Sequence, residues 1–313
     1  MLESNYYNYP LYTLRLIVRN LCIVFFPFRL TTCIRGRLGN QLNQFASSVG
    51  ISFLTNHRPA LLKQSQLWKY FDLEGKVDQA ETQCSKYQKQ FRFFELKSVC
   101  IFEPDLVRNV NETKGDVILN GFFASWVFYE KQQKYVRNLL QFSRDIQSKV
   151  DDIFQEIKKK YVAIQEQGKR VLYIAVHVRR GDFLKSKSKR LGRRAAPIEY
   201  YIQAIHWFKK NQSGSELLFI VASNDKTWVT QNFVKIKDTK FYFLSENNSA
   251  IIDMAVLARC NHTIMSTGSY SYWSAFLANG FGVYYSGHPV QGSQLAETCP
   301  QKNFYQPKWM ALP

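Results

Sequence analysis

Between Val171 and Arg180 apolar residues fill both faces of a period-two pattern, while the stretches on either side repeat near 3.6. Val171, Tyr173, Ala175, His177 and Arg179 alternate onto one face of a strand, and Leu172, Ile174, Val176, Val178 and Arg180 onto the other. Such a strand is covered on both sides, as in a parallel sheet. It ends abruptly in His177, Arg179, Arg180 and Asp182, so polar groups arrive together at its carboxyl end. Because neighbouring side chains point to opposite faces, the two arginines are expected to do different jobs.

The same reading orders the rest of the chain. Residues 29–35 read as a strand, GRLGN as a glycine turn and 41–56 as a helix with Leu42, Phe45, Ala46, Val49 and Phe53 inward. A long amphipathic helix carries Ile146, Val150, Ile153, Phe154, Ile157 and Tyr161, and closes on Lys158, Lys159 and Lys160, as the helix dipole favours. After residue 170 strands and helices alternate up to Val283-Tyr-Tyr, which implies a parallel sheet with helices on both faces. Residues 57–142 show aromatics but no clean period. The resulting expectation is an α/β chain of two lobes, 29–160 and 161–313, with a cleft between them.

Composition narrows the class. The 313 residues, 46% hydrophobic, suffice for a substantial core, and 42 Lys and Arg against 24 Asp and Glu give +18. That charge favours an anionic partner: nucleic acid, an acidic membrane surface or a phosphate-bearing substrate. Six scattered cysteines form no C-x-x-C pair, and Cys84–Cys100 is the local bridge the spacing suggests. Sequons occur at Asn111, Asn211, Asn247 and Asn261. Residues 1–28 form a tail whose stretch 11–28 is apolar but interrupted by Arg15 and Arg19. It reads equally as a marginal signal anchor or as an interfacial extension, being short of the ~20 residues a membrane span needs.

Four places carry candidate chemistry. At His177 to Asp182 the guanidinium forks match phosphate oxygens, and Gly181 allows a sharp turn; the competing reading is an arginine paired structurally with Asp182. Ser266, Thr267, Gly268 and Ser269 connect a strand to a helix whose free N–H groups suit a phosphate, although Ser269 alone could be an ordinary cap. Asp253 sits in an otherwise apolar helix and needs a partner, either the N–H groups of a guanine or a donor from the protein. Asn40 and Gln41 stand at a helix start in the opposite lobe, facing the cleft. The basic loop 185–194 is a solvated surface, a nucleic-acid patch or a flap over phosphate. No metal constellation stands out, so a diphosphate leaving group would be neutralised by arginines and a helix terminus.

GRLGNQ at 36–41, HVRRGD at 177–182 and the stretch from Leu218 through Cys260-Asn-His-Thr-Ile-Met to Trp273-Ser-Ala-Phe-Leu-Ala resemble, in the same order, the motifs of the galactoside alpha-1,2-fucosyltransferases, glycosyltransferase family eleven. Phe183 stands where that family often has Tyr. The resemblance implies two Rossmann-like lobes of the glycosyltransferase B type, the first on the acceptor side. It implies an inverting enzyme moving L-fucose from GDP-fucose to the 2-hydroxyl of a terminal galactose on a glycan, without metal or other cofactor and with no nucleic-acid partner. It further implies a type II Golgi membrane protein with a lumenal catalytic part. By position, Arg179 would contact the β-phosphate, Arg180 would support the site, His177 and Asp253 would face the guanosine, and Ser266 to Ser269 would cradle the pyrophosphate. Asp182 is the nearest candidate base, or else it orients an arginine. Another linkage, such as alpha-1,6, and a catalytically inactive glycan-binding relative are the competing functions.

Overall fold

The structure is a computed structural model that describes residues 27–81, 84, 90–161 and 170–313. The 11–28 stretch, with Cys22, lies outside the described residues except for Pro27 and Phe28. The first lobe contains β1 (Arg29–Thr32), α1 (Leu38–Leu54), β2 (Arg58–Leu62), α2 (Leu67–Tyr70), β3 (Asp78–Ala80), β4 (Arg92–Glu95), α3 (Pro104–Asn111) and β5 (Val117–Asn120). Its sheet runs β3-β2-β1-β5-β4 with every pairing parallel. A 3-10 helix (Trp126–Gln132) and α4 (Gln133–Leu139) follow.

Helix α1 is buried on almost every side from Leu42 to Ser52, which explains its unusual composition. The hydroxyls of Ser48, Ser52 and Thr55 donate back to carbonyls three or four residues earlier, so these polar groups bury without remaining unpaired. Gly50 lets the 3-10 helix approach: a Cβ there would lie 2.1 Å from the Phe128 carbonyl oxygen.

The second lobe contains α5 (Arg144–Lys160), β6 (Arg170–Val178), α6 (Ser186–Arg190), α7 (Ile198–Asn211), β7 (Ser215–Ser223), α8 (Lys226–Phe233), β8 (Lys240–Phe243), α9 (Ala250–Ala258), β9 (His262–Met265), α10 (Ser269–Ala278), β10 (Gly282–Tyr285), α11 (Gln294–Thr298), α12 (Gln301–Phe304) and β11 (Met310–Leu312). Its sheet runs β11-β10-β9-β6-β7-β8, again with every pairing parallel. In order of appearance this is 6-5-4-1-2-3, the doubly wound nucleotide-binding order, and β6 and β9 flank the point where the winding reverses. The two faces of β6 behave as the alternation requires: Leu172, Ile174, Val176 and Val178 enter one core cluster and Ala175 another.

The second of those clusters continues through α1, the 3-10 helix, α5, α9 and α10, so one apolar zone fastens the lobes together. Within it the Tyr129 hydroxyl donates to the Tyr272 hydroxyl at 2.8 Å, and Trp273 Nε1 donates to Asn43 Oδ1 at 2.7 Å.

Several expectations need correction. Helix α5, which precedes the proposed division at 160, packs on the second sheet: Phe154 meets Tyr173 edge-on, and the Tyr242 hydroxyl donates to Glu156 at 2.8 Å. Phe53 is 47% exposed, because the last turn of α1 overhangs the core. Cys100 is bonded to Cys299 and not to Cys84. Cys84 is a free thiol, and the neighbouring Cys33 thiol lowers its pKa. The basic segment 185–194 is not all loop: it contains α6, and the Val290 and Arg194 N–H groups bond to Gly192 O and His288 Nδ1.

Candidate active site

Open parallel sheets bind ligands at the carboxyl ends of the strands beside their switch point. Here those ends are His177 to Asp182 after β6 and Ser266 to Ser269 after β9. Gly181 makes the turn at φ +38°, and a side chain there would strike the Asn224 amide at 2.3 Å. The chain then coils into a one-turn 3-10 helix, Gly181–Leu184, that holds Asp182 under the strand end.

His177 is buried beneath two hydroxyls. Its Nδ1 is 2.5 Å from Ser271 Oγ and 2.9 Å from Ser266 Oγ, and those oxygens are 3.0 Å apart. Burial, with help from Arg179, pushes its pKa down to about 3, so the imidazole is neutral. The Tyr270 ring lies 4.7 Å from it and is held by a 2.6 Å bond from the Tyr270 hydroxyl to the Ala250 carbonyl. Burial and the nearby Asp253 raise the Tyr270 pKa. Asp253 is half-buried and accepts from Asn248 Nδ2 at 3.0 Å; its pKa is raised by burial, against the pull of Asn248 and Lys226.

The two arginines do diverge. Arg179 pairs with Asp182 Oδ1, while Asp182 Oδ2 is 3.6 Å from Arg37 Nη2, which comes from the other lobe. The Arg179 and Arg193 guanidiniums lie 5.8 and 5.7 Å from the Phe183 ring. Burial lowers the Arg179 pKa; Asp182 opposes the shift, and Arg37 and Arg193 add to it. Two guanidiniums therefore share the Asp182 carboxylate while Arg193 stands nearby against Phe183, and the surplus of positive charge suits an anion. Arg180 turns to the other face: its N–H donates to Asn224 Oδ1 at 2.9 Å, its Nε donates to Asp225 Oδ2 at 3.1 Å, and its guanidinium stacks 4.0 Å above Trp228. It braces the strand end and stays outside the Arg179 cluster.

Two helix starts meet across the lobes. Ser266 and Thr267 are buried, Gly268 has φ +84°, and Ser269 opens α10. The Ser269 hydroxyl donates to Asn40 Oδ1 at 2.8 Å, and a Cβ on Gly39 would lie 2.6 Å from the Tyr270 backbone nitrogen. Thr267 Oγ1 is buried with no hydrogen-bond partner among the described residues. Gln41 does not join this contact; its amide donates to the Gly36 carbonyl at 2.9 Å and fixes its own turn.

The structure thus gathers His177, Arg179, Asp182, Ser266, Ser269 and Asn40, with Asp253 connected through Tyr270. Sequence reasoning missed Arg37, Arg193, Tyr270 and Ser271. Arg37 sits inside the GRLGN turn and Arg193 inside the basic loop, and no local pattern separates either from a solvated arginine. Among the described residues no group of three or more His, Cys, Asp or Glu side chains could hold a metal ion.

The chain is 25% identical over 284 residues to galactoside alpha-(1,2)-fucosyltransferase 1 of Saimiri sciureus, covering 88% of this chain and 73% of that one. The enzyme of the same name from Aotus azarae is 24% identical over 283 residues, with the same coverage. In fold it is similar to Arabidopsis thaliana FUT1 solved with GDP, with TM-score 0.53, 11% identity, and 82% and 69% of the two chains covered. Fucosyltransferase NodZ from Bradyrhizobium gives TM-score 0.50 at 14% identity, covering 79% and 90%. Residues 27–313 match the profile of glycosyl transferase family 11, and the chain belongs to that family.

Proposed function

We propose that this protein is an inverting galactoside 2-alpha-L-fucosyltransferase, moving L-fucose from GDP-fucose to the 2-hydroxyl of a terminal galactose. The observation that carries the reading is the Arg179–Asp182–Arg37 cluster at the switch point of a nucleotide-binding sheet, beside the start of α10. When the bond from fucose C1 to the β-phosphate oxygen breaks, negative charge grows on the diphosphate. Arg179 and Arg37, with the N–H groups opening α10, offset it where it develops, while the acceptor hydroxyl attacks the opposite face of the sugar and its proton passes, through solvent, to the departing diphosphate. The neutral His177, with Tyr270 and Asp253, forms the wall on which the guanosine rests. Both Asp182 oxygens face guanidiniums, which favours holding them over carrying a proton.

These cations do the work of charge neutralisation, so the reaction proceeds without a divalent ion. The name of the Saimiri relative supports the galactoside acceptor and the 1,2 linkage, and the GDP complex of the Arabidopsis neighbour supports the nucleotide. A lumenal Golgi location with an amino-terminal anchor is part of the same reading. Disulfides persist in oxidising compartments, and Cys100–Cys299 is one. No helix among the described residues is long and apolar enough to cross a membrane. One assay tests the whole reading: labelled GDP-fucose with a panel of β-galactosides, with and without chelator, and determination of the linkage. The expected product is the 1,2-linked fucoside at an undiminished rate in chelator. A 1,6 product, or donor bound without transfer, would overturn it.

A further inference from the structure

The loops at the carboxyl ends of β1 and β5, in the first lobe, pair an exposed aromatic ring with a cation. Phe122 is 39% exposed, and the Arg35 guanidinium lies 5.7 Å from its ring centroid. The fold goes to some trouble to present this ring. Gly121 has φ +152°, and Phe123 takes a left-handed φ of +49° that a bulky side chain rarely adopts. That bend buries Phe123 completely and turns Phe122 outward.

Two polar side chains buried on α1 hold the bend. Gln44 Oε1 accepts from the Arg35 N–H at 2.9 Å, and its Nε2 donates to the Gly121 carbonyl at 3.0 Å. Ser47 donates to the Phe123 carbonyl at 2.9 Å. Gln44 thereby fixes the two loops against each other, and no carboxylate among the described residues pairs with Arg35. Backbone strain maintained by buried hydrogen bonds is characteristic of ligand clamps.

The position of the pair indicates the ligand. Arg35 is two residues from Arg37, a backbone reach of at most about 7 Å, and Arg37 meets Asp182 at the anion cluster. Gln44 is one helical turn, about 6 Å, beyond Asn40, which bonds Ser269 of the other lobe. The ring therefore stands on the first-lobe rim of the diphosphate site, where an acceptor must wait. Galactose has a face rich in C–H groups, left bare by its axial 4-hydroxyl, and that face stacks on an aromatic ring. Its equatorial 2-hydroxyl then projects from the rim of the stacked sugar, free to approach fucose C1.

Resting on the transfer reaction proposed above, we infer that Phe122 and Arg35 form the acceptor subsite, Phe122 stacking against the terminal galactose and Arg35 donating to its hydroxyls. The test uses the full chain with lactose as acceptor, comparing Phe122→Ala, Phe122→Trp and Arg35→Ala by steady-state kinetics and by saturation-transfer NMR. The expected result is a rise of about tenfold in KM for lactose in Phe122→Ala, with weakened saturation transfer to the galactose protons. KM for GDP-fucose should move less than twofold, Phe122→Trp should restore the lactose KM, and Arg35→Ala should raise it more modestly. A Phe122→Ala protein whose lactose KM stays within twofold of the parent overturns the subsite and leaves the transfer reaction standing. A parent that neither binds lactose nor transfers fucose to it overturns both.

Discussion

Arg179 and Arg180 are adjacent, yet the sheet sends one into the anion cluster and the other onto Trp228 and Asp225. Arg179→Ala should lower kcat/KM for transfer by at least about 10²–10³-fold, the scale of losing a preorganised donor at a developing oxyanion. Arg180→Ala should instead lower stability by about 1–3 kcal/mol, because it removes the Nε bond to Asp225 and the guanidinium stacked on Trp228. GDP affinity measured by calorimetry should follow Arg179 and be nearly indifferent to Arg180; equal losses would mean that both arginines reach the phosphates. The divergence is legible from the alternation alone, since a strand buried on both faces leaves no choice of side. Gln41 shows the opposite case. A helix-start amide can reach into a cleft or fold back on its own turn with equal ease, and only the observed bond to Gly36 decides.

At the scale of elements, the junction of α1 with α10 decides whether the two halves of the site meet. Gly39 is the tight point, because the atom nearest its absent Cβ is backbone and cannot rotate away. Gly39→Ala should push the helix starts apart, weaken the Asn40–Ser269 bond, and cost about 1–3 kcal/mol. Donor KM should rise with the fall in melting temperature; a drop in stability with donor KM unchanged would separate this junction from donor binding. The sequence suggests a glycine turn before α1 but not its neighbour, because Gly39 and Tyr270 are 231 residues apart. Elements between 57 and 142 leave as little local trace: several strands there have only three to five residues, too few for a period to emerge.

For the whole molecule, pH and redox state are the informative variables. His177 and His288 have pKa values pushed down to about 3 and about 4 by burial and a neighbouring arginine, so the fold keeps both neutral. The unfolded chain binds a proton at each below about pH 6.5. Their contribution to stability is therefore complete above that pH and declines as pH falls toward 4. Asp253, whose pKa is raised, acts in the opposite sense, and one carboxyl offsets only part of the effect of two imidazoles. Melting temperatures should fall between pH 7 and pH 5, with a shallower fall in His288→Gln; a parallel fall in that variant would contradict the assignment. Cys299→Ser removes the tie between the loop after β4 and the α11–α12 junction, and should cost about 2–4 kcal/mol in non-reducing denaturant titrations. Indifference to the substitution would show that the bond does not form. The sequence by itself determined the β-α alternation, the parallel second sheet and the delivery of His177, Arg179 and Asp182 to one strand end, because these follow from periodicities of two and 3.6 over adjacent residues. Only the tertiary structure decided the arrival of Arg37 and Asn40 from the other lobe, the Cys299 partner and the outward turn of Phe122. Each of those depends on contacts between segments far apart in the chain, or on backbone strain that distant side chains maintain, and neither leaves a trace in local order.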